Sequence, residues 1–166
     1  MLLPKNPQVK DHEIAAYMYP IDEVGGDYYD IINVGGRDWL IIGDVSGHGV
    51  VAGLIMMMVE TAVKSVLHQQ SELSATRLLE IVNGVLIDNL KLIGEDRYMT
   101  ITALAYQEKG VFHFSGMHQD ILVFRARENK VESIETHGIW LGVQGVSLPD
   151  LKDIELTMAP GDTMLL

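Results

Sequence analysis

Hydrophobic residues change their spacing twice along the chain. Over Glu13–Tyr19, Asp27–Val34 and Asp38–Asp44, Ile, Val, Tyr and Trp crowd into short runs separated by glycine-containing turns, which predicts strands. From Gly49 the period lengthens. Ala52, Ile55, Val59, Ala62, Val63 and Val66 fall on one face of an amphipathic helix that ends before the polar run His68 to Glu72. Ser74 is placed as the N-cap of a second helix, with Leu73 and Leu78 in staple positions and Leu78, Val82, Val85 and Leu86 continuing one face toward Leu90. After Asp96 the strand pattern returns in Met99–Tyr106 and Val111–Met117, joined by Gln107 to Gly110. It continues in Ile121–Arg125 and Val131–Thr136, joined through Glu128 and Asn129. Three strands, two helices and at least four hairpin-connected strands predict an α+β domain with helices packed on a mainly antiparallel sheet or sandwich. Val143–Asp153 is the least structured interior stretch.

Composition narrows the function classes. A chain of 166 residues suits one domain, and 48% hydrophobic against 21% charged residues separates it from disordered chains. Its longest apolar run, Val50–Val59, is broken by Gly53 and is about half the ~20 residues of a membrane span. The start, Met1 to Lys5, lacks the basic and apolar regions of a targeting segment. A soluble, cytoplasmic domain without membrane contact is the expectation. A net charge of −11 repels nucleic-acid phosphates and is compatible with divalent cations, although solubility accounts for most surface acid. With no cysteine, any metal must be held by carboxylates, carbonyls or histidines, which favours hard ions.

The stretch from Leu40 to Glu60 holds the candidate chemistry: an apolar strand ends on Asp44, passes through Ser46-Gly47-His48-Gly49 and becomes an apolar helix. Val34-Gly35-Gly36-Arg37 reads as a two-residue hairpin turn, for which two glycines supply the positive φ angles. Residues facing each other across that hairpin have numbers totalling 71, which sets Asp27 opposite Asp44. Their Cβ atoms would lie about 4.5 to 5.5 Å apart, where like charges destabilise a sheet unless a cation sits between them. Gly25, Gly26, Gly43 and Gly47 leave room for such an ion and its water, and oxygen ligands with space for water suit Mg²⁺ or Mn²⁺. The other reading of the pair is two solvated carboxylates at a fraying hairpin end. Asp30, three residues along, points to the opposite face and is left out.

Two further motifs fit less well. Gly47 to Ala52 matches G-x-G-x-x-A, but a dinucleotide fold needs a second strand after the helix, and here a second helix follows. A hydrolase elbow around Ser46 would need glycine where Asp44 stands, so Ser46 reads as a turn residue. The free N–H groups of the helix beginning near Gly49 favour an anion, so metal plus phosphate is the chemistry indicated.

EVGGDYYD at Glu23–Asp30 and GDVSGHG at Gly43–Gly49 resemble the two opening metal motifs of the bacterial SpoIIE/RsbU branch of the protein phosphatase 2C (PPM) family. DRYMTITALAY at Asp96–Tyr106 and APGDTMLL at Ala159–Leu166 resemble later strands of it, and the similarity extends from LLPKNPQ onward. The resemblance implies an α-β-β-α sandwich, two Mn²⁺ or Mg²⁺ ions, and hydrolysis of phosphoserine or phosphothreonine on a protein by metal-activated water. It implies that Asp44 bridges the ions, that the Val45 carbonyl ligates one, and that Asp27 completes that side. It further implies a phosphorylated STAS-type anti-sigma factor antagonist as substrate and an N-terminal sensor or receiver domain in the parent chain. Residues 1–12 are then the end of a linker and 13–166 a partial phosphatase domain. The family's strand continues past Leu166 into Tyr-Thr-Asp-Gly, whose aspartate is a ligand, with another aspartate further on. A truncated domain is therefore expected, with a non-catalytic phosphatase-like binding or regulatory module as the alternative.

Gly116 to Asp120 departs from the Ala-Gly-His and following proline of many relatives, so a structural or surface role is favoured over a catalytic one for His118. At His48 backbone geometry is favoured over imidazole chemistry, and Met56-Met57-Met58 reads as helix packing. Arg97 is left between meeting an anionic substrate and a surface salt bridge.

Overall fold

The computed structural model describes residues 8–18, 25–143 and 151–166. Two strands come first, β1 (Asp27–Val34) and β2 (Arg37–Val45), then α1 (Gly49–Gln69) and α2 (Ala75–Ile93). Six strands follow: β3 (Met99–Tyr106), β4 (Val111–Met117), β5 (Ile121–Arg125), β6 (Lys130–Ile134), β7 (Ile154–Thr157) and β8 (Thr163–Leu165). They form a five-stranded sheet, β1-β2-β3-β4-β7, and a three-stranded sheet, β6-β5-β8, with every pairing antiparallel. The fold class is α+β, as the alternation of periods predicts.

Two cores follow from the alternation of side chains along each strand. On one face of the larger sheet, Tyr28, Ile32, Trp39, Ile41, Met99, Ile101 and Ala103 pack under the helices. The α1 residues predicted to face inward do so, with Ala52, Ile55, Val59 and Val63 buried and Ala62 and Val66 partly buried against the same core. Although α1 is long and apolar enough by composition to cross a membrane, its stripe is spent on this core. On the other face Leu40, Leu104, Phe112 and Phe114 meet Ile121 and Val123 of the smaller sheet. Helices, sheet and sheet give three of the four expected layers among the described residues.

Helix α2 begins as its sequence directs: Ser74 is the N-cap, its Oγ accepting from the Arg77 N–H at 3.2 Å, and Gly94 ends the helix in the left-handed conformation. Several boundaries differ from the sequence pattern. Over residues 13–18 there is no strand, and Tyr19 lies outside the described residues. That segment follows a turn at Asp11, bridged Val9 to His12, and makes no ladder with any strand; without a partner its β-forming residues stay irregular and Tyr17 is 86% exposed. Strand β6 stops at Ile134, two residues before the expected end. Of Val143–Asp153, residues 144–150 lie outside the description, as do residues 1–7 of the expected linker and Glu23-Val24 of the first motif. Strand β7, just after that loop, gave no recognisable period because it is four residues long.

Candidate functional site

Gly35 and Gly36 adopt φ of 60° and 80°, the turn that the glycine pair predicts, and the register follows from it: Val34 faces Arg37 and Asp27 faces Asp44. The row continues across the sheet. Asp44 pairs with Thr100 of β3, and one step beyond the last β3–β4 pair, Ile101 with Met117, stand Thr100 and His118. Thr100 Oγ1 is 3.3 Å from the Asp44 carbonyl, to which it donates, and 2.8 Å from His118 Nδ1. The direction of the Thr100–His118 hydrogen bond is set by the His118 tautomer. Asp27, Asp44, Thr100 and His118 thus form one line across four strands, at the open end of the face between the sheets.

The line is electrostatically unbalanced. Partial burial, and then the charge of Asp27, push the Asp44 pKa up, against the opposing pull of His118 and of the Val45 N–H. Burial lowers the His118 pKa, and both aspartates work against that shift. Among the described residues the lysine and arginine ion pairs engage other carboxylates, and none reaches Asp27 or Asp44.

Backbone oxygen completes the arrangement. The Val45 N–H donates to the Gly26 carbonyl at 3.2 Å, bringing the segment before β1 against the end of β2. A Cβ on Gly26 would stand 2.8 Å from the Val45 carbonyl oxygen and 3.2 Å from Asp44 Oδ1. The Val45 Cβ would lie 3.0 Å away as well, so only glycine lets this segment approach so closely, and the approach sets the two oxygens beside each other. An all-oxygen donor set with room for water fits a hard divalent ion, Mg²⁺ or Mn²⁺, better than a thiophilic one. The described side chains supply two carboxylates rather than a cluster of three or more ligating groups.

Other candidates take structural places. Ser46 Oγ accepts from the Tyr98 N–H at 3.0 Å and the Ser46 N–H donates to the Tyr98 carbonyl at 2.8 Å, which makes it a turn residue. Arg97 donates from Nη1 to the Ser46 carbonyl at 3.1 Å and from Nε to Glu95 at 3.3 Å, so its charge fixes the turn after Asp44. A Cβ on Gly47 would stand 2.6 Å from that guanidinium. His48 is the N-cap residue of α1 by its backbone, without a side-chain cap. Asp30 turns to the helix side, as alternation predicts, where Lys64 Nζ reaches it at 2.9 Å and Glu60 at 2.6 Å.

Nothing in the sequence pattern singles out Thr100 or joins His118 to the carboxylates; the structure lines both up with them. The signal was faint. No hairpin turn joins β2 to β3, and the Gln107–Gly110 turn carries one residue more of pairing than its strand ends suggest, with the Gln107 N–H bonded to the Val111 carbonyl at 3.0 Å.

Comparison with known proteins follows this geometry closely. The family model described as Stage II sporulation protein E (SpoIIE) matches residues 35–166. The chain is 25% identical over 164 residues to the phosphoserine phosphatase RsbU of Bacillus subtilis (strain 168), across 98% of this chain and 47% of that protein. It therefore spans about half the length of that curated relative. The SiaA-PP2C domain of Pseudomonas aeruginosa superposes with a TM-score of 0.70 at 20% identity, over 87% of this chain and 56% of that one. The RsbU and RsbW domains of Rv1364c from Mycobacterium tuberculosis give 0.66 at 23% identity, over 88% and 39%. RsbX in complex with magnesium gives 0.63 at 14% identity, over 87% and 66%. At these identities the solved structures share the fold.

Proposed function

The chain belongs to the SpoIIE family, and from that premise we propose that it carries the catalytic face of a metal-dependent serine/threonine protein phosphatase. The observation that supports this most directly is the Asp27–Asp44 pair: two facing carboxylates that no lysine or arginine among the described residues pairs with, beside the Val45 carbonyl, which the close approach of Gly26 sets near Asp44 Oδ1. Asp44 and the Val45 carbonyl would hold Mn²⁺ or Mg²⁺, with Asp27 completing that side. A bound ion would supply an activated water and neutralise phosphoryl oxygen charge. Thr100 holds the Asp44 carbonyl and orients His118, while Ser46 and Arg97 lock the turn that follows. These contacts hold the backbone at Asp44 and the turn after it before any ligand arrives, so less ordering is left to be done on binding.

The substrate in this reading is phosphoserine or phosphothreonine on a signalling protein in the cytoplasm, with a phosphorylated STAS-type anti-sigma factor antagonist as the leading choice. The name of the B. subtilis relative, a phosphoserine phosphatase, supports the bond cleaved. An N-terminal sensor or receiver domain in the parent chain would supply the regulation. A second reading, a phosphatase-like module that binds without turnover, is favoured by the absence of a three-carboxylate cluster among the described residues.

Mn²⁺-dependent hydrolysis of para-nitrophenyl phosphate decides between them. The phosphatase reading expects turnover that Asp44→Asn lowers by about 100-fold or more, equivalent to roughly 2.7 kcal/mol of transition-state stabilisation. Mn²⁺ binding without any turnover, both in this chain and in one extended through the Tyr-Thr-Asp-Gly strand, would sink it in favour of the binding module.

A further inference from the structure

Beside the carboxylate line stands an aromatic pair that the phosphatase chemistry does not use. Tyr98 and Trp140 stack with ring centroids 4.5 Å apart and planes 15° apart, yet they remain 36% and 43% exposed. Neither ring belongs to the two hydrophobic cores.

Their position follows from the backbone. Met99 points into the core beneath the helices, so Tyr98, one residue earlier, takes the face of Thr100. Leu141 exchanges two hydrogen bonds with Met99, at 2.9 and 2.8 Å, and is buried in the same core together with Ile139. Trp140, between them, is turned to the opposite face, beside Tyr98. Both backbone polar groups of Tyr98 are bonded to Ser46, two residues after Asp44, so the platform is tied to the carboxylate turn. One strand spacing and two residues of rise separate Tyr98 from Asp44, about 8 Å, which an extended polypeptide covers in two to three residues.

We propose that Tyr98 and Trp140 form a docking platform for the substrate polypeptide, receiving apolar or planar side chains two to three residues from the phosphorylated one. This rests on the phosphatase reading above. A polypeptide whose phosphoryl group is at Asp27 and Asp44 must leave across the rim of the site. On this side the rim is a rigid, exposed ring pair, a surface that gains contact area with little loss of side-chain freedom. The rings stand one strand over and two residues along from Asp44, so the platform acts on selection of substrate rather than on bond cleavage.

The test compares free phosphoserine with two eleven-residue phosphoserine peptides, one flanked by leucine at two and three residues on either side and one flanked by glycine, in the presence of Mn²⁺. The wild-type chain should prefer the leucine-flanked peptide about tenfold in kcat/KM, through KM. Tyr98→Ser with Trp140→Ser should erase that preference while leaving free phosphoserine within about twofold, and Tyr98→Phe with Trp140→Phe should keep it. Equal losses on every substrate, or no change on any, would overturn the platform and leave the phosphatase reading standing. If neither the wild-type chain nor one extended through the Tyr-Thr-Asp-Gly strand turns over any of the three, the phosphatase reading fails, and the platform is judged by fluorescence anisotropy of the labelled leucine-flanked peptide. Binding weakened about tenfold in the serine double variant supports it; unchanged binding, or none to the wild type, overturns it.

Discussion

Strand β1 carries two aspartates three residues apart whose surroundings solve the same problem in opposite ways. Asp30 faces the helices, where it is 4% exposed beside Glu60 at 3%. Lys64 bridges both carboxylates, Tyr28 donates to Asp30 Oδ2 at 3.4 Å, and the Ile31 N–H donates to Oδ1 at 2.9 Å. Burial works against the charge on Lys64, but its bonds to Glu60 and Asp30 outweigh that and raise its pKa. Burial, reinforced by both carboxylates, keeps the Tyr28 phenol protonated far above its ordinary range. Asp27, on the other face, meets Asp44 with no lysine among the described residues to bridge them. A buried pair must carry its own counter-ion, whereas a pair at the rim can leave the position to a ligand. The contrast separates a structural acid cluster from a site better than acid content does.

Removing the bridge should give the largest stability effect. Lys64→Met leaves two buried carboxylates uncompensated and should cost about 3 kcal/mol, the low end for breaking a buried pair because the Lys64 side chain is 36% exposed. Chemical denaturation would measure it, and Asp30→Asn with Glu60→Gln in the same background should recover most of the loss. A loss under about 1 kcal/mol would erase the distinction between the two pairs. Next in size is the effect of a divalent cation at the rim pair. Mn²⁺ at about one hundred times its Kd should add roughly 2.7 kcal/mol to the wild-type chain and almost nothing to Asp44→Asn, read as a shift in Tm.

The smallest effect is the repulsion between the rim carboxylates. Without divalent ions, Asp44→Asn should stabilise the chain by about 0.5 to 1 kcal/mol at neutral pH. The Asp44 pKa is raised above its ordinary 3.8 in the folded state, so protonation favours folding. The advantage of the variant should therefore vanish below that value, appear as pH rises through the window between it and the raised folded pKa, and be complete above. Burial contributes first to that shift and Asp27 second, so paired denaturation curves across acid pH with and without Asp27→Asn would show the same advantage if Asp27 and Asp44 do not repel.

How much of this was legible from sequence depended on how each strand pair is joined. The β1–β2 register could be counted because two glycines fix the turn, and the facing aspartates came with it. Thr100 could not be placed in the same way, since two helices separate β3 from its neighbour β2 and no turn geometry bridges that gap. The burial of Glu60 was equally hidden: it sits on an apolar stripe whose period says nothing about a lysine one turn later reaching back to Asp30. At the other end, Asp162 accepts from Arg125, Ala126 and Ala159 and ties the turn before β8 to β5, a role that emerges only when distant segments meet. The motif resemblance pointed to the ends of β1 and β2 ahead of the geometry, but the hydrogen bonds that stiffen the row came from tertiary pairing alone.

The Gly35-Gly36 turn acts as a remote ruler for chemistry at the far end of the hairpin. Seven residue steps, about 24 Å of strand, separate Val34 and Arg37 from Asp27 and Asp44. A residue added to the turn would touch nothing at that distance, yet it would offset the two carboxylates by one place and turn one of them toward the helices. Length tolerance in this hairpin is thus a property of the site, and natural variation in the turn should be confined to changes that preserve the count.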